Sequence, residues 1–432
     1  MNKMRNGRRT AIVYGLRTPF IKSGTLYNNL TSLDLGKKAT IELINRSEIE
    51  PDIIDKVIFG TVIPTVKTSN LSREIALGSG IPSKVPSYTV SCACASSIMA
   101  ITNAVDSITV RNADVIIAGG TESISNMPIL FPTRFRSIFR DYYKAGNRIN
   151  KIRQLLKLRV SDLYPDISEI AEHSTGITLT EYGEKIAKEN SITREEQDEF
   201  SIRSHKLSHK ANLEGINTEE VIHHLIPPNF TTIVYSDNNI KKDISILELS
   251  RLKPLHDRNY GTVTTGNSAP LADGAAVLLL MSEEKANSLG YKPLGYIRSY
   301  AYAAVSPKDQ LLMGPLYSTP IALEQAGLSL KNIDLIEMHE AFASQVLSNL
   351  KGFSSKSFAE EKLGRPEPIG EIDMEIFNVN GGSIAIGHPF GSTGIRLTIS
   401  LLNELKRRGR NFGLVTTCAA GGLGASLILE RE

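Results

Sequence analysis

The amino-acid sequence predicts an α/β protein made of two similar halves. Two observations support this class: short buried-strand patterns alternate with helical patterns, and the patterns of the first half recur in the same order in the second. The chain has 432 residues, of which 41% are hydrophobic and 22% charged, so it can form two or three globular domains. We therefore expect two pseudo-equivalent domains whose strand ends face each other.

In the first half, apolar runs that end at glycine predict strands at 10–15, 55–60 and 114–120. The segment 88–91 leads into Cys94, and an apolar helix is predicted from Ile98 to Val110.

The second half repeats this order, with strands predicted at 295–298, 334–339 and 412–417. The segment 377–380 leads into a turn that contains His388, and a helix follows from about Thr393. Cys94 and His388 therefore occupy corresponding strand-to-helix turns. Sites usually form at that edge of an α/β sheet.

Between the halves lies a region with more charge and fewer buried-strand patterns, which predicts an inserted loop and helical domain. In it, Thr193 and Glu196 form a capping box that begins a helix running to about Ala211. The predicted domains are an N-terminal domain (1–121 and 252–292), the insertion (122–251) and a C-terminal domain (293–432).

One part of the insertion, residues 134–159, is strongly basic and amphipathic. It contains nine arginines and lysines, Asp141 as its one acid, and interleaved aromatic and aliphatic side chains. A basic amphipathic helix pair fits a membrane surface or an acidic partner. A solvated basic face with a buried apolar stripe explains the pattern equally well, and part of a channel for an anionic substrate is a third interpretation.

Several function classes lose support from the sequence. The net charge of +3 gives no general reason to expect nucleic-acid binding. No apolar run approaches the roughly 20 residues of a spanning helix, and the basic N-terminus lacks the apolar core of a signal peptide. Three cysteines indicate a reducing compartment, and Cys92-x-Cys94 lacks a second pair of ligands, so no metal is predicted. Walker and dinucleotide motifs are absent from the sequence, which disfavours phosphoryl and hydride transfer.

Cys94 and His388 are candidates for nucleophilic chemistry. Cys94 precedes a turn of small residues, where a helix N-terminus can lower the pKa of a thiol and a substrate carbonyl can approach. His388 lies between Gly387 and Pro389 and could accept the thiol proton or donate to an oxyanion. The alternatives are a cysteine that packs as a small hydrophobe and a histidine bonded locally in a tight turn.

Two further strand ends carry groups suited to binding an anion. His339 suits an oxyanion donor, and a helix-capping role is the alternative for Glu340 beside it. Cys418 is followed by the small residues 419–422, whose backbone N–H groups can stabilise an anion, or which form a tightly packed turn. We expect residues 261–274 to form another loop over a pocket.

Segments along nearly the whole chain resemble the thiolase superfamily, in the family's order. They are CACASS, GTES with SNMP behind it, ITREEQDEFSIRSH, YGTVTTGNSAPLADGAA, HEAF, NVNGGSIAIGHPFGSTG and CAAGGLGAS. Other features resemble the β-subunits of trifunctional fatty-acid oxidation complexes. These are GLRTPFIKSGTLYNNL, FGTVIPTVKTSNLSRE, PKDQLLMGPLYSTP, and HEAF in place of the commoner Asn-Glu-Ala-Phe.

The resemblance implies two βαβαβαββ-type core domains in a five-layered αβαβα arrangement, with an inserted loop domain. It also implies a degradative 3-ketoacyl-CoA thiolase (an acetyl-CoA C-acyltransferase), with CoA and acyl-CoA as substrates and no permanently bound cofactor. Cys94 would attack the 3-keto carbon and carry the acyl group, and His388 would activate Cys94 and stabilise oxyanions. His339 would belong to the first oxyanion hole, and Cys418 would be the acid and base.

The resemblance assigns further roles around these residues. The backbone N–H of Ala420, with that of Cys94, would form the second oxyanion hole. Ser268 would contact CoA and Phe342 would line the pantetheine channel. The chain departs from the family at Leu179 and Thr180, which border the acyl pocket in relatives. Ala269 stands where many thiolases have a CoA-contacting serine, and Ala420 stands where they commonly have a glycine. Cys92 beside the nucleophile is also unusual for the family and could form a regulatory disulfide with Cys94.

The resemblance further implies a homodimer, an enoyl-CoA hydratase/3-hydroxyacyl-CoA dehydrogenase α-subunit as partner, and peripheral membrane contact through 134–159. The expected location is the cytoplasm of a bacterium or, for a eukaryotic chain, the mitochondrial matrix. Three alternatives stay open: an acetyl-CoA C-acetyltransferase that runs the same chemistry toward condensation, a condensing ketoacyl synthase, and a non-catalytic lipid-binding or scaffold subunit.

Overall fold

The computed structural model describes residues 8–165 and 171–432. The strands in this part of the chain are β1 (Thr10–Arg17), β2 (Ile21–Lys22), β3 (Lys56–Gly60), β4 (Ser87–Val90), β5 (Val115–Glu122), β6 (His224–Leu225), β7 (Ile233–Val234), β8 (Ala272–Ser282), β9 (Gly295–Ala304), β10 (Leu335–Met338), β11 (Phe412–Ala419) and β12 (Leu423–Glu430). The α-helices are α1 (Ser32–Ser47), α2 (Leu71–Gly78), α3 (Ser96–Thr109), α4 (Thr133–Lys144), α5 (Arg148–Leu155), α6 (Leu179–Glu189), α7 (Arg194–Leu213), α8 (Ile246–Ser250), α9 (Glu283–Ser288), α10 (Gly314–Ala326), α11 (Ala343–Ser354), α12 (Lys356–Leu363), α13 (Ser383–Ile386) and α14 (Thr393–Arg408).

The main sheet has the order β10-β11-β12-β9-β1-β8-β5-β3-β4, with β2 paired to β8. In the first half, β4, β3 and β5 are parallel, and β8 and β1 follow antiparallel. The second half has the same topology: Phe377 bridges β10 in parallel where β4 pairs with β3, and β11, β12 and β9 follow. A short antiparallel pairing of β1 with β9 joins the halves. The predicted internal repeat is therefore confirmed.

The secondary structure forms five layers. One middle core fills both sides of the central helical layer, and two outer cores lie between the half-sheets and the outer helices. The middle core contains α3 and α14 with the inner faces of both half-sheets, including Ile98 and Ile395. One outer core packs α1 and α2 on the first half-sheet, and the other packs α10 and α11 on the second. Along β3, Ile58 points to the middle core while Val57 and Phe59 point to the outer one, as the two-residue period of a strand requires. The αβαβα arrangement follows from this alternation.

The six predicted strands and the helices predicted from Ile98, Thr193 and Thr393 are present in the structure. The Thr193–Glu196 capping box begins α7 as expected. The strands β8 and β12 were not predicted from the sequence. The loop predicted at 261–274 is wrong at its C-terminal end, because β8 begins at Ala272. Every residue of β8 is buried, so its sequence lacks the polar alternation that marks a half-exposed strand.

The described residues cluster into two compact units, one of residues up to Asn126 together with Leu179–Glu432, and one of Met127–Thr178. The three-domain division drawn from the sequence stays a prediction. The smaller unit contains α4 and α5, so the helix pair expected within 134–159 is present. None of the helices in the described ranges has both the length and the apolar character needed to cross a bilayer.

The two halves approach closely where β5 meets the loop after His388. A side chain on Gly120 would collide with the carbonyl oxygen of Gly391, and neither backbone can move without disturbing its own sheet or helix. Small residues are therefore a packing requirement at this junction.

We predict that Gly120→Ala lowers the free energy of unfolding by about 3 kcal/mol, because the added methyl overpacks a backbone contact. Gly146→Ala is the matched control: no heavy atom of the described residues lies within 4 Å of its added methyl, so its effect stays within about 0.5 kcal/mol. Urea unfolding of both variants checks this. Equal midpoints for the two would contradict the packing argument.

Candidate active site

Three strand ends and one turn between helices bring the candidate residues together. Cys94 lies between β4 and α3, and His388 lies between α13 and α14 in the corresponding turn of the second half. His339 directly follows β10, and Cys418 is the penultimate residue of β11. Strand ends therefore supply three of the four side chains, as expected for an α/β sheet, and the turn between α13 and α14 supplies His388.

The turn that carries Cys94 is held by its own backbone and one serine. Ala93 has a φ of 46°, in the left-handed region that a residue with a side chain rarely adopts. Ser96 Oγ accepts a hydrogen bond from the Cys92 N–H at 2.8 Å and donates to the Ala93 carbonyl at 2.7 Å. A side chain on Gly60 would lie 2.6 Å from the Ser96 carbonyl oxygen, so this turn packs directly on the end of β3. Strained backbone of this kind is common at functional sites.

The loop that carries His388 is anchored to the first half. The His388 N–H donates to the Pro270 carbonyl at 2.9 Å, and the Ile395 N–H donates to Ser97 Oγ at 3.1 Å. The Gly391 N–H donates to the buried Glu122 carboxylate at 3.1 Å.

Glu122 also accepts hydrogen bonds from Thr61 Oγ1 and from the N–H groups of Val62 and Ile63. Burial raises the pKa of Glu122 to about 7, although these donors act in the opposite direction.

Cys94 and His388 form a hydrogen-bonded pair, with 3.2 Å between Sγ and Nε2. Burial and the Arg396 charge lower the pKa of His388 to about 3. Cys94 is partly exposed, yet burial of its thiol raises its pKa to about 12, even though the Ala420 and Cys94 N–H groups bond to it. Both groups are therefore neutral at pH 7. The thiol donates to Nε2, and Nδ1–H donates to Thr393 Oγ1 at 2.7 Å.

The thiol pKa therefore departs from the sequence-based expectation. Placement before α3 was expected to lower it, but loss of solvation outweighs the backbone donors.

His339 presents an unpaired nitrogen to this pair. Its ring centroid lies 4.1 Å from that of His388, and its buried Nε2 has no hydrogen-bond partner among the described residues. Its Nδ1 lies 2.9 Å from Ser383 Oγ, which also accepts a hydrogen bond from Arg396. Burial, with the charges of His388 and Arg396, lowers the pKa of His339 well below its usual value, so the ring is neutral.

The Ser383 hydroxyl can support the tautomer of His339 that suits an oxyanion hole. Ser383 Oγ accepts from Arg396, and its own hydrogen is available to His339 Nδ1. In that tautomer the proton of the neutral ring is on Nε2, where it can donate to an oxyanion between the two histidines.

Glu340 braces the site and does not cap α11, the helix that follows it. Its carboxylate accepts from Ser204 Oγ at 2.8 Å, Asn378 Nδ2 at 2.7 Å and the Ile384 N–H at 3.2 Å. The N-cap of α11 is Phe342, so the capping alternative for Glu340 is wrong. The carboxylate instead ties α7 and the 378–384 segment to the end of β10.

Cys418 and Ala420 complete the cluster from β11. Cys418 is 1% exposed; burial and the neighbouring Cys94 raise the pKa of its thiol well above the usual value. The Ala420 N–H bonds to the Cys94 thiol, and Gly421 and Gly422 have φ values of 86° and 73° that allow the turn after β11. The segments of Cys94, His388, His339 and Cys418 therefore meet in space.

Ser268 and Phe342 lie beside this cluster rather than in it. They form a short antiparallel bridge with each other, and Leu271 bridges His388. Ser268 Oγ donates to the Thr264 carbonyl at 2.7 Å, and Phe342 is 7% exposed. Their roles toward CoA stay predictions.

Several supporting residues were missed by the sequence analysis. Thr393, Ser383 and Arg396 orient the two histidines, and Glu122 anchors the His388 loop. Thr393 and Ser383 lie inside the NVNGGSIAIGHPFGSTG segment, and Arg396 is a single charge in an apolar helix turn. An isolated charge in such a turn indicates a buried side chain with a polar partner. This signal could have identified Arg396 as a supporting residue of the site.

Comparison with known proteins agrees with this arrangement. Residues 10–284 match the thiolase N-terminal domain, and residues 291–431 match the thiolase C-terminal domain. The chain belongs to the thiolase family. The two matched ranges correspond to the two halves of the sheet, so each half is one thiolase domain of the repeat.

The thiolase relatives cover nearly the whole chain. A 3-ketoacyl-CoA thiolase of Serratia proteamaculans is 47% identical over 428 residues, which are 99% of this chain and 98% of that protein. The crystal structure of the Bacillus anthracis acetyl-CoA acetyltransferase has a TM-score of 0.84 at 33% identity, covering 98% of this chain and 99% of that one. Human mitochondrial 3-ketoacyl-CoA thiolase has a TM-score of 0.83 at 28% identity, covering 98% and 99%. Its complex with CoA has a TM-score of 0.82 at 28% identity, covering 98% of both chains.

We predict that alkylation of Cys94 by iodoacetamide accelerates about tenfold per pH unit from pH 6 to 9, without a plateau. A thiol with a pKa of about 12 is ionised in roughly one molecule in ten thousand at pH 8. Because only the thiolate reacts, and its fraction rises about tenfold per pH unit below the pKa, the rate rises in the same way. Mass spectrometry of the Cys94 peptide gives the rate, and Cys94→Ser gives the background. A plateau near pH 8 would show that the thiol is not held neutral.

Proposed function

We propose that this thiolase is a 3-ketoacyl-CoA thiolase of fatty-acid β-oxidation, which cleaves 3-ketoacyl-CoA with CoA into acetyl-CoA and a shortened acyl-CoA. The observation that carries the proposal is that Cys94, His388, His339 and Cys418 lie next to one another. Relatives named 3-ketoacyl-CoA thiolase are 47% identical over almost the whole chain, which supports this substrate class.

In the first step, Cys94 Sγ bonds to the 3-keto carbon while its proton passes to His388 Nε2, 3.2 Å away. The oxyanion lies in a hole formed by the N–H groups of Cys94 and Ala420, which already bond to the thiol. A donor in such a hole is typically worth about 10²–10³ in rate.

In the second step, the bond between C2 and C3 breaks, and its electron pair forms the enolate of acetyl-CoA. The His339 Nε2–H and His388, which bears the proton from Cys94, stabilise the enolate oxygen. The raised pKa of Cys418 keeps its thiol protonated, so it donates that proton to C2 and acetyl-CoA leaves.

In the last step, the Cys418 thiolate accepts the proton of incoming CoA, whose sulfur takes the acyl group from Cys94. The Cys94 sulfur recovers its proton from His388, which restores the neutral pair. No permanently bound cofactor is needed by this proposal, and CoA and acyl-CoA are substrates.

The condensing acetyl-CoA C-acetyltransferase is the nearest alternative, since a structure of that name has the same fold at 33% identity. The 47% identity to 3-ketoacyl-CoA thiolases favours degradation. Leu179 and Thr180 begin α6 and are our candidates for setting acyl chain length.

We predict CoA-dependent cleavage of 3-ketoacyl-CoA substrates of four to sixteen carbons, fastest on long chains, followed by loss of the 3-ketoacyl absorbance. Cys94→Ala lowers kcat by about 10⁴ or more, because the acyl group then has no nucleophile. Cys92→Ala is the matched control, because Cys92 is the neighbouring thiol without a bond to His388, and it keeps most of the activity.

Activity confined to acetoacetyl-CoA would support the condensing alternative. Full activity of Cys94→Ala would overturn the mechanism, and no cleavage at any length would favour a non-catalytic role.

We also propose that the unit Met127–Thr178 binds an anionic lipid surface. Only Ile138 of α4 is buried, and α5 has no buried residue, so a basic face with an ordinary buried stripe does not describe this helix pair. Large apolar side chains such as Tyr143 (76% exposed) and Leu156 (79%) lie among the basic ones. Exposed apolar groups interleaved with positive charge fit a lipid headgroup region.

A homodimer and an α-subunit with hydratase and dehydrogenase activities complete the proposal for partners. The homodimer is supported by β4, which ends the main sheet and whose four residues are only partly buried. An exposed strand edge of this kind offers unpaired backbone groups to a second copy. The proposed location stays the cytoplasm or the mitochondrial matrix.

We predict that replacing Arg140, Lys144, Arg148 and Lys151 with glutamine lowers binding to phosphatidylglycerol vesicles by on the order of 1,000-fold. Each basic residue near an anionic surface contributes about 1 kcal/mol. Glutamine at Lys67, Lys84, Lys242 and Lys253 removes the same charge from exposed sites outside this unit and serves as control. Vesicle co-sedimentation measures both.

Equal loss in the two variants would show only a general charge effect. Binding unchanged in the first variant would overturn the lipid proposal and direct the search to a protein partner of this unit.

A further inference from the structure

Three side chains of the site form a candidate set of metal ligands. Cys94, His339 and His388 each offer one ligand atom, and these atoms all lie within 4.8 Å of one another. One thiolate and two neutral imidazoles are donors that Zn²⁺ prefers, whereas Mg²⁺ and Ca²⁺ require oxygen ligands. This set is not visible in the sequence, because its members come from three distant segments.

We propose that Cys94, His339 and His388 bind one thiophilic divalent cation, with Zn²⁺ as the representative ion, and that the bound ion reversibly inhibits the enzyme. The inference uses the residues of the proposed function but adds a ligand for which thiolysis has no need. Metal binding and thiolysis can therefore be tested separately.

The distances are close to those of a tetrahedral zinc site. Zinc bonds of about 2.3 Å to sulfur and 2.0–2.1 Å to nitrogen place the sulfur about 3.6 Å from each nitrogen and the nitrogens about 3.3 Å apart. The Cys94 Sγ to His388 Nε2 distance is 3.2 Å, and the remaining separations are at most 4.8 Å. Small side-chain rotations complete three corners, and water occupies the fourth.

The unpaired Nε2 of His339 is the second observation that points to a ligand. It is buried and without a hydrogen-bond partner among the described residues, which is costly unless something binds there. An oxyanion fills this need during catalysis, and a cation fills it when the nitrogen offers its lone pair.

A hydroxyl group contacts Nδ1 of each imidazole, the nitrogen that would not bind the metal, as outer partners do in zinc sites. His388 Nδ1 bonds to Thr393 Oγ1 at 2.7 Å, which leaves Nε2 as the free lone pair. His339 Nδ1 lies 2.9 Å from Ser383 Oγ. Ser383 Oγ has two lone pairs, so it can accept from Arg396 and also from a His339 Nδ1–H.

The binding step balances in protons and charge. The Cys94 thiol loses its proton to solvent and forms the zinc–sulfur bond. The His339 proton moves from Nε2 to Nδ1 through solvent, so that ring stays neutral and Nε2 bonds to zinc. The zinc ion replaces the hydrogen bond between Cys94 and His388, and the site carries one net positive charge.

A bound ion disables the nucleophile and its base together. The Cys94 lone pair is then committed to the metal and His388 Nε2 can no longer accept a proton. Substrate and metal ion should therefore compete for the same atoms, and bound substrate should protect the enzyme from inhibition by the metal.

The test is calorimetric titration of the full, reduced, chelator-treated chain with Zn²⁺, repeated with Co²⁺. We expect one strongly bound ion per chain and, with Co²⁺, the thiolate charge-transfer absorption of a tetrahedral nitrogen–sulfur site. Loss of an outer hydrogen bond typically costs 10–100-fold in metal affinity, so Cys94→Ala and His339→Ala should each cost at least about 100-fold.

Cys92→Ala is the matched control and keeps the affinity, because Cys92 is outside the ligand set. Unchanged affinity in Cys94→Ala, loss of affinity in Cys92→Ala, or the absence of the cobalt–thiolate absorption would each overturn the proposal. The cobalt spectrum is measured on the unaltered chain, so this result does not depend on whether the variants fold. Thiolysis by the metal-free protein, measured in parallel, separates the outcomes: cleavage without metal binding overturns only this inference, and metal binding without cleavage overturns only the proposed function.

Discussion

The interlock between the two halves is the constraint on which the site depends. Cys94 belongs to the first half and His388 to the second, so their 3.2 Å separation requires the halves to be held to a fraction of an ångström. The Gly391 N–H on Glu122 and the Ile395 N–H on Ser97 cross this boundary, and Gly120 permits the backbone contact beside them. None of these groups reacts, yet each fixes where the histidine lies relative to the thiol.

Burial is the second constraint, and it determines the protonation of every reacting group. It raises the pKa of Cys94 to about 12 and lowers that of His388 to about 3, so the pair rests as thiol and imidazole. An ion pair would need solvation that this interior does not provide. Charge therefore appears only when substrate is bound, at positions where N–H donors already point. Such preorganisation is how enzymes favour a charged transition state over a neutral ground state.

The sequence predicted the repeat, the strand ends and the four candidate residues that the structure brings together, because these depend on local patterns and on motifs that resemble the thiolases. It missed β8, whose complete burial removes the polar alternation, and it misjudged the direction of the Cys94 pKa. It also missed Thr393 and Ser383 as partners of the histidines. A helix N-terminus is visible in a sequence, but solvent exclusion by segments hundreds of residues away is a property of the assembled fold.

The metal inference follows from the same environment that suits catalysis. An oxyanion hole needs an unpaired donor facing a nucleophile, and His339 Nε2 is such a group beside Cys94. A neutral imidazole is a donor in one tautomer and a ligand in the other, so a histidine that prepares the site for an oxyanion also makes it resemble a zinc site. Replacement of His339 by an asparagine, as in the commoner Asn-Glu-Ala-Phe motif, would keep an N–H donor and remove the soft ligand. Thiolases with the histidine form of this motif should therefore be inhibited by thiophilic metals, and those with the asparagine form should not. The two forms differ at this position in a single side chain.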